Sequence, residues 1–175
     1  MMYEMDEIKR INQEISVKFG KIEVHIAHAK SITGLFETLF ADIEKEFAVP
    51  FVWLTLVDKE VAAPVIEAIK SSALLENRLG VISEDLFTRV LTDGLQPVLA
   101  NKDLQPFYKL LPSTNKFFVK SLAVIPLYIN SELIGSWNNG DVLSDRYLPD
   151  MDTRLLQKLG QKISARLTEL ALGSE

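Results

Sequence analysis

The apolar positions of this chain recur with two periods, and the changes of period predict its elements. From Met5 to about Ala29 the rhythm is helical. Ile8, Ile15, Ile22 and Ala29 lie seven apart, and Ile11, Phe19 and Ile26 fill the same flank, which predicts a helix with one apolar stripe on a charged surface. Lys18 and His25 interrupt the seam, and Gly20 weakens its centre. Such a stripe suits a helix lying on its own domain, or one that also pairs with a second subunit. Ser31 or Thr33 can cap a second helix, about Thr33 to Phe47, with Leu35, Phe36, Leu39, Phe40, Ile43 and Phe47 on one broad face and Pro50 as its stop.

The rhythm then shifts to period two. Phe51–Asp58 predicts a strand of β-branched and aromatic residues. One parity, Val52, Leu54 and Leu56, is aliphatic and suits a face beneath helices. The other, Phe51, Trp53, Thr55 and Val57, suits a cavity wall or a second, smaller core. Between Glu60 and Pro112 the pattern is less regular. A short helix after Pro64, a helix started by Ser83 and stopped by Gly94, a strand at Gln96–Ala100 and a helical turn within Asp103–Leu111 are expected. Such short segments either roof a pocket or cover a sheet that binds nothing.

Lys120–Asp141 predicts a β-hairpin turning at Asn130-Ser131, so that Ile129 faces Glu132. Uninterrupted pairing then sets Leu127 against Ile134, Ile125 against Ser136 and Ala123 against Asn138. The opposite face holds Tyr128 with Leu133, Pro126 with Gly135, Val124 with Trp137 and Leu122 with Asn139. Pro126 belongs at an edge or a break in the ladder. A last helix opens near Pro149–Asp152 and runs to about Leu172, with Leu155, Leu156, Leu159, Ile163, Leu167 and Leu170 as its apolar face. This order predicts an α+β fold: a central antiparallel sheet, terminal helices on one face and short covering segments on the other.

Composition narrows the function. The 175 residues suit one domain, with residues 1–30 as a helical extension and 31–172 as the domain proper. The net charge of −5 argues against nucleic-acid binding and against an anionic membrane surface. There is no cysteine, so disulfides, thiolate metal sites and thiol nucleophiles are excluded. The N-terminus lacks the apolar core of a signal peptide, and no apolar run is long enough to span a bilayer, so a cytoplasmic protein is expected.

Ser121–Leu127 followed by Leu133-Ile134-Gly135 resembles the Ser-x-x-x-Val-Pro-Leu … Ile-Gly hairpin of GAF domains, with Lys120 at a position that is often Arg in the family. Arg146, Tyr147, Pro149, Asp150, Met151, Asp152 and Thr153 further resemble a segment of a GAF-related subgroup known only as a domain of unknown function. The resemblance is specific over about Lys120–Leu167 and looser from Ser31 to Asp58. It implies a ligand pocket between sheet and covering segments, and terminal helices that often form a dimer bundle. Bilin attachment and methionine-sulfoxide reduction need cysteines. The cyclic-nucleotide pattern begins at Asn115-Lys116-Phe117-Phe118 but lacks its Asp-Glu.

His25 and His28, the only histidines, share a helix face by their spacing. No further His or Cys completes a transition-metal set, and they read as helix-surface residues. There is no Gly-x-Ser-x-Gly elbow and no phosphate loop, so a non-catalytic module with no assignable cofactor is expected. The candidate ligand wall is Trp53, Thr55, Leu122, Val124, Gly135, Trp137 and Asn139, on the mixed face of the hairpin and first strand. The opposing possibility is that both tryptophans simply fill the core there. The expected role is a sensory or regulatory module that binds a small molecule, works as a homodimer through its terminal helices and signals to a separate protein partner. The alternative is a structural dimerisation module with a filled pocket.

Overall fold

The structure, a computed structural model, describes residues 2–91, 96–111 and 118–173. The expected helix stop at Gly94 and the Asn115–Phe117 stretch lie outside the described residues. The two helical stripes become α1 (Met2–Ala27) and α2 (Ile32–Phe47). Ser31 takes extended backbone angles, and its Oγ accepts the Gly34 N–H at 2.9 Å, which satisfies one of the helix's orphan donors. The helix ends at Ala48 in the left-handed region, φ 53°. The chain then enters β1 (Phe51–Val57), followed by α3 (Ala63–Lys70), β2 (Leu79–Ile82), α4 (Glu84–Val90), β3 (Val98–Ala100), β4 (Ser121–Ile129), β5 (Glu132–Asp141) and α5 (Arg154–Leu172).

The strands form one sheet in the order β2-β1-β5-β4-β3. The fold is α+β. The central strands pair antiparallel, and the sheet is mixed at one edge, where β2 pairs parallel with β1. Leu79–Ile82 carries only four residues, one of them glycine, and is half-covered. Its strand character comes from docking on β1, which no local pattern announces.

The two faces of the sheet carry separate cores. Phe19, Ile22 and Ile26 of α1, the apolar face of α2, and Leu159, Ile163 and Leu167 of α5 pack with Val52, Leu54, Leu56, Ala123, Ile125 and Leu127. Val65 and Ile69 of α3 join them, so α3 belongs to this face and not to the covering side. On the other face Phe87 and Leu91 pack with Leu104, Leu110, Leu111, Val119, Leu122, Val124, Trp53 and Val57.

The hairpin turns at Asn130 and Ser131, with φ of 50° and 67°, the pair of positive values a type I′ turn requires. Ile129 pairs with Glu132 and Tyr128 with Leu133 as the sequence predicts, but Leu127 then pairs with Gly135, and Ile134 is the extra residue of a β-bulge. Every later pair moves by one: Ile125 lies opposite Trp137, Val124 opposite Asn138 and Ala123 opposite Asn139. Gly135 makes this possible. Its φ is +149°, and a Cβ there would lie 2.1 Å from the Thr55 carbonyl oxygen of β1. A slip of one residue exchanges the faces of a strand, so Trp137 points under the helices and not toward the covering segments.

Strand β3 pairs with β4 only over 122–124, leaving the rest of that edge to α5. Ser164 Oγ accepts the Tyr128 N–H at 3.0 Å, and Thr168 Oγ1 accepts the Asn130 N–H at 2.9 Å. Pro126 has no N–H to satisfy, which fits its place on a strand without a full neighbour. Gly160 permits this close approach, since a Cβ there would meet Ile125 at 2.6 Å. The open edge is thereby blocked against further strand pairing.

Candidate functional site

After β5 the chain crosses the end of the sheet before entering α5, and Arg146 fastens that crossing. Its Nη2 donates to the Phe47 carbonyl at 2.6 Å, an acceptor left open where α2 ends. Its Nη1 lies 3.4 Å from Asp141 Oδ2, while Asp141 Oδ1 accepts the Leu143 N–H at 2.9 Å. Ser121 Oγ donates to the Leu143 carbonyl at 2.6 Å. With the loop held at both ends, Tyr147 turns inward and is buried.

Tyr147 meets the register-shifted end of β5. Trp137 Nε1 donates to Asn139 Oδ1 at 2.8 Å. Because the indole can only donate, this bond fixes the Asn139 amide with its nitrogen free for Tyr147. Burial pushes the Tyr147 phenol above its ordinary pKa. The Arg146 charge and hydrogen bonding from Asn139 oppose that rise, and the Asp141 charge adds to it. The phenol therefore keeps its proton well beyond neutrality.

Above this floor lies a cleft of about 730 Å³, within the size range of small-molecule sites. Asn139, Arg146 and Tyr147 form its polar end. Ile15 and Phe19 of α1, Phe47 at the end of α2 and Leu155 of α5 contribute apolar wall. The Phe19 and Phe47 rings stand 4.9 Å apart, and Lys18 Nζ lies 5.7 Å from the Phe47 ring centre. At the mouth the Arg154 guanidinium binds both oxygens of Asp152, with Nε at 2.9 Å and Nη2 at 2.6 Å from Oδ2, and holds that carboxyl below its usual range.

The residues expected to form one ligand wall are divided. Trp53, Thr55, Leu122 and Val124 lie on the covering face; Trp137 and Asn139 lie on the helix face. Gly135 sits in the bulge against the β1 backbone. The shared wall is therefore corrected, and the cause is the residue inserted at Ile134. On the covering face Trp53 Nε1 and Thr55 Oγ1 donate to the Leu110 carbonyl at 2.8 and 2.9 Å. The Asn138 amide lies 2.9 Å from Thr55 Oγ1 and 2.7 Å from Ser136 Oγ. Phe87, Leu122 and Val124 are fully buried beside them. Among the described residues this side is packed around the two donors that a pocket would have offered.

Of the wall foreseen from sequence, Asn139 alone reaches the cleft. Arg146 and Tyr147 were visible only as part of a resembling segment, not as site residues. Their local signal, an Arg-Tyr pair just beyond a strand that ends Asn-Asn-Gly-Asp, gives no hint that α1 and α2 close over it. His25 on α1 and His28 just beyond its end stay on the surface: His25 Nδ1 lies 2.6 Å from Asp42, and His28 Nδ1 lies 2.8 Å from the Val24 carbonyl. Among the described residues no three His, Cys, Asp or Glu converge, and no helix is long and apolar enough to cross a membrane. No protein-family model matches this chain, and no curated protein matches it.

Proposed function

We propose that the protein is a non-catalytic regulatory module that binds a small molecule in this cleft and reports occupancy through its terminal helices. One observation carries the proposal: Ile15 and Phe19 of α1 and Leu155 and Leu156 of α5 line the same cavity. An occupant must touch both helices, so any preference for one helix arrangement becomes a shift in their populations. The resemblance to GAF domains favours the same class of role, in a cytoplasmic protein that passes its signal to a protein partner. The ligand position differs from the one the resemblance implies, because the covering face is packed.

Native mass spectrometry of freshly purified protein, compared with the denatured chain, tests retention. A mass increment lost on denaturation is the expected result. The cysteine-free background allows clean spin labelling of Lys9→Cys and Lys158→Cys, and occupancy should change the distance between the labels. An unaltered distance with ligand bound would sink the signalling half of the proposal.

A second reading has its own support. Residues 4–14 of α1 are all exposed, a stretch of about 16 Å at 1.5 Å per residue. It carries Met5, Ile8 and Ile11 in the open. A homodimer joined there would bury this stripe, and the same native spectrum reads its mass.

A further inference from the structure

This inference rests on reading the cleft as a binding site, and it concerns the chemistry of the occupant. The polar end is a chain of donors with one direction. Trp137 N–H donates to the Asn139 carbonyl oxygen at 2.8 Å, which fixes the orientation of the amide and leaves its N–H groups to donate. Arg146 has no acceptor atom at all. Asn139, Arg146 and Asp141 act on the Tyr147 hydroxyl, and both oxygens of Asp141 are engaged, Oδ1 by the Leu143 N–H and Oδ2 by Arg146. Tyr147 lines the cleft, where its O–H can donate to an acceptor. A ligand group meeting this end encounters the Arg146, Asn139 and Tyr147 donors, which favour an acceptor.

The charge around it selects among acceptors. The Arg146 side chain remains 31% exposed, and its contact with Asp141 is long at 3.4 Å. One partly compensated cation suits one negative charge. A phosphate, with nearly two charges, would meet a single partly compensated cation at the polar end among the described residues, since Arg154 is already bound to Asp152. The Asp152 carboxylate at the mouth discourages further negative charge. The remaining walls are mostly apolar, Ile15, Phe19, Phe47 and Leu155 among them, with Asn12 and Ser16 as further polar positions, which favours a largely apolar body.

We infer that the cleft takes a small monocarboxylic acid with an aromatic or medium-length alkyl body, its carboxylate set against Tyr147 and Arg146. The body lies between Phe19 and Leu155, bridging α1 and α5. The same geometry disfavours short acids such as acetate, which leave the walls uncovered.

Calorimetric titration of the full chain with phenylacetate and octanoate tests this, with phenylacetamide, octanol and acetate as controls. Both acids should bind about tenfold tighter than their neutral analogues, as expected for a hydrogen bond to a charged group. Tyr147→Phe should erase most of that difference while leaving the thermal unfolding of the free protein in place. Leu155→Trp should abolish binding by filling the cavity, and its own melting curve shows that it folds. If acid and amide bind alike, or if Tyr147→Phe binds acids as the parent does, the carboxylate assignment is wrong while the cleft stands. If neither acids nor neutral analogues bind, and native spectra show no retained mass, the inference and the reading beneath it both fall.

Discussion

The two faces of one sheet have solved the burial of polar groups in opposite ways. On the covering face Thr55, Ser136 and Asn138 are buried, and with Trp53 they bond one another and the Leu110 carbonyl. Each group's need for a partner is met inside the protein, which closes the space. On the helix face the polar groups lie at one end, Trp137, Asn139 and Tyr147 in series with Arg146, and the series finishes at a cavity. The first arrangement uses polarity to fix a covering segment; the second leaves a donor facing a cleft. Both grow from adjacent residues of β5, and parity alone separates Asn138 from Asn139.

That division depends on the bulge, so breaking the bulge is the strongest test. Gly135→Ala should destabilise the protein by about 3 kcal/mol or more, since the added Cβ collides with the β1 backbone at a positive φ. Urea unfolding measures it. A loss below about 1 kcal/mol would mean that Gly135 does not hold this conformation and that Trp137 belongs to the other core.

Removing one hydroxyl from the covering face should cost less. Thr55→Val keeps the branched shape but withdraws a partner from Asn138 and from the Leu110 carbonyl. A loss of about 1–3 kcal/mol is expected for buried groups left short of a bond. Equal stability of the variant would show that the network contributes packing and no more.

The two tryptophans give a spectroscopic form of the comparison. In Trp53→Phe the remaining Trp137 reports on the cleft through Asn139; in Trp137→Phe the remaining Trp53 reports on the packed side. Phenylacetate should shift the emission of the first variant and leave that of the second unchanged. Matching responses from both would contradict the separation of the cores.

The smallest effect is a pH dependence. The Tyr147 phenol is raised above its ordinary value of 10.0 by burial. Its contribution to stability is fully present below about pH 10 and is lost as pH rises toward the folded-state value. Between pH 9 and 11 the parent protein should therefore lose stability more steeply than Tyr147→Phe. Parallel curves in urea titrations across that range would argue against a buried phenol.

Much of the fold was readable because its signals are local. The Ser31 cap, the apolar face of α2, the two parities of β1 and the Asn130-Ser131 turn all follow from residues within a few positions of one another. The N-terminal stripe was readable as a period but not as a burial pattern. Phe19, Ile22 and Ile26 pack, while Ile8 and Ile11 of the same stripe stay exposed, because α2 and α5 extend over only part of α1. The parallel strand β2 escaped notice because four half-covered residues carry little pattern.

The candidate site was less legible. Its polar end needs Trp137 and Asn139 on the helix face, and an uninterrupted hairpin register places them on the other. Its walls need α1, α2 and α5 to meet beside the 142–153 crossing, and Arg146 reaches back 99 positions to do so.

The sequence by itself determined the long helices, the strands β1, β4 and β5, the tight turn of the hairpin, and the aliphatic face of β1, since propensity, capping and period are local properties. Only the tertiary structure decided which tryptophan shares a core with which, and where a cavity remains. A single inserted residue exchanges the faces of everything beyond it, and the backbone of another strand, at Thr55, is what makes glycine the residue that can sit beside it.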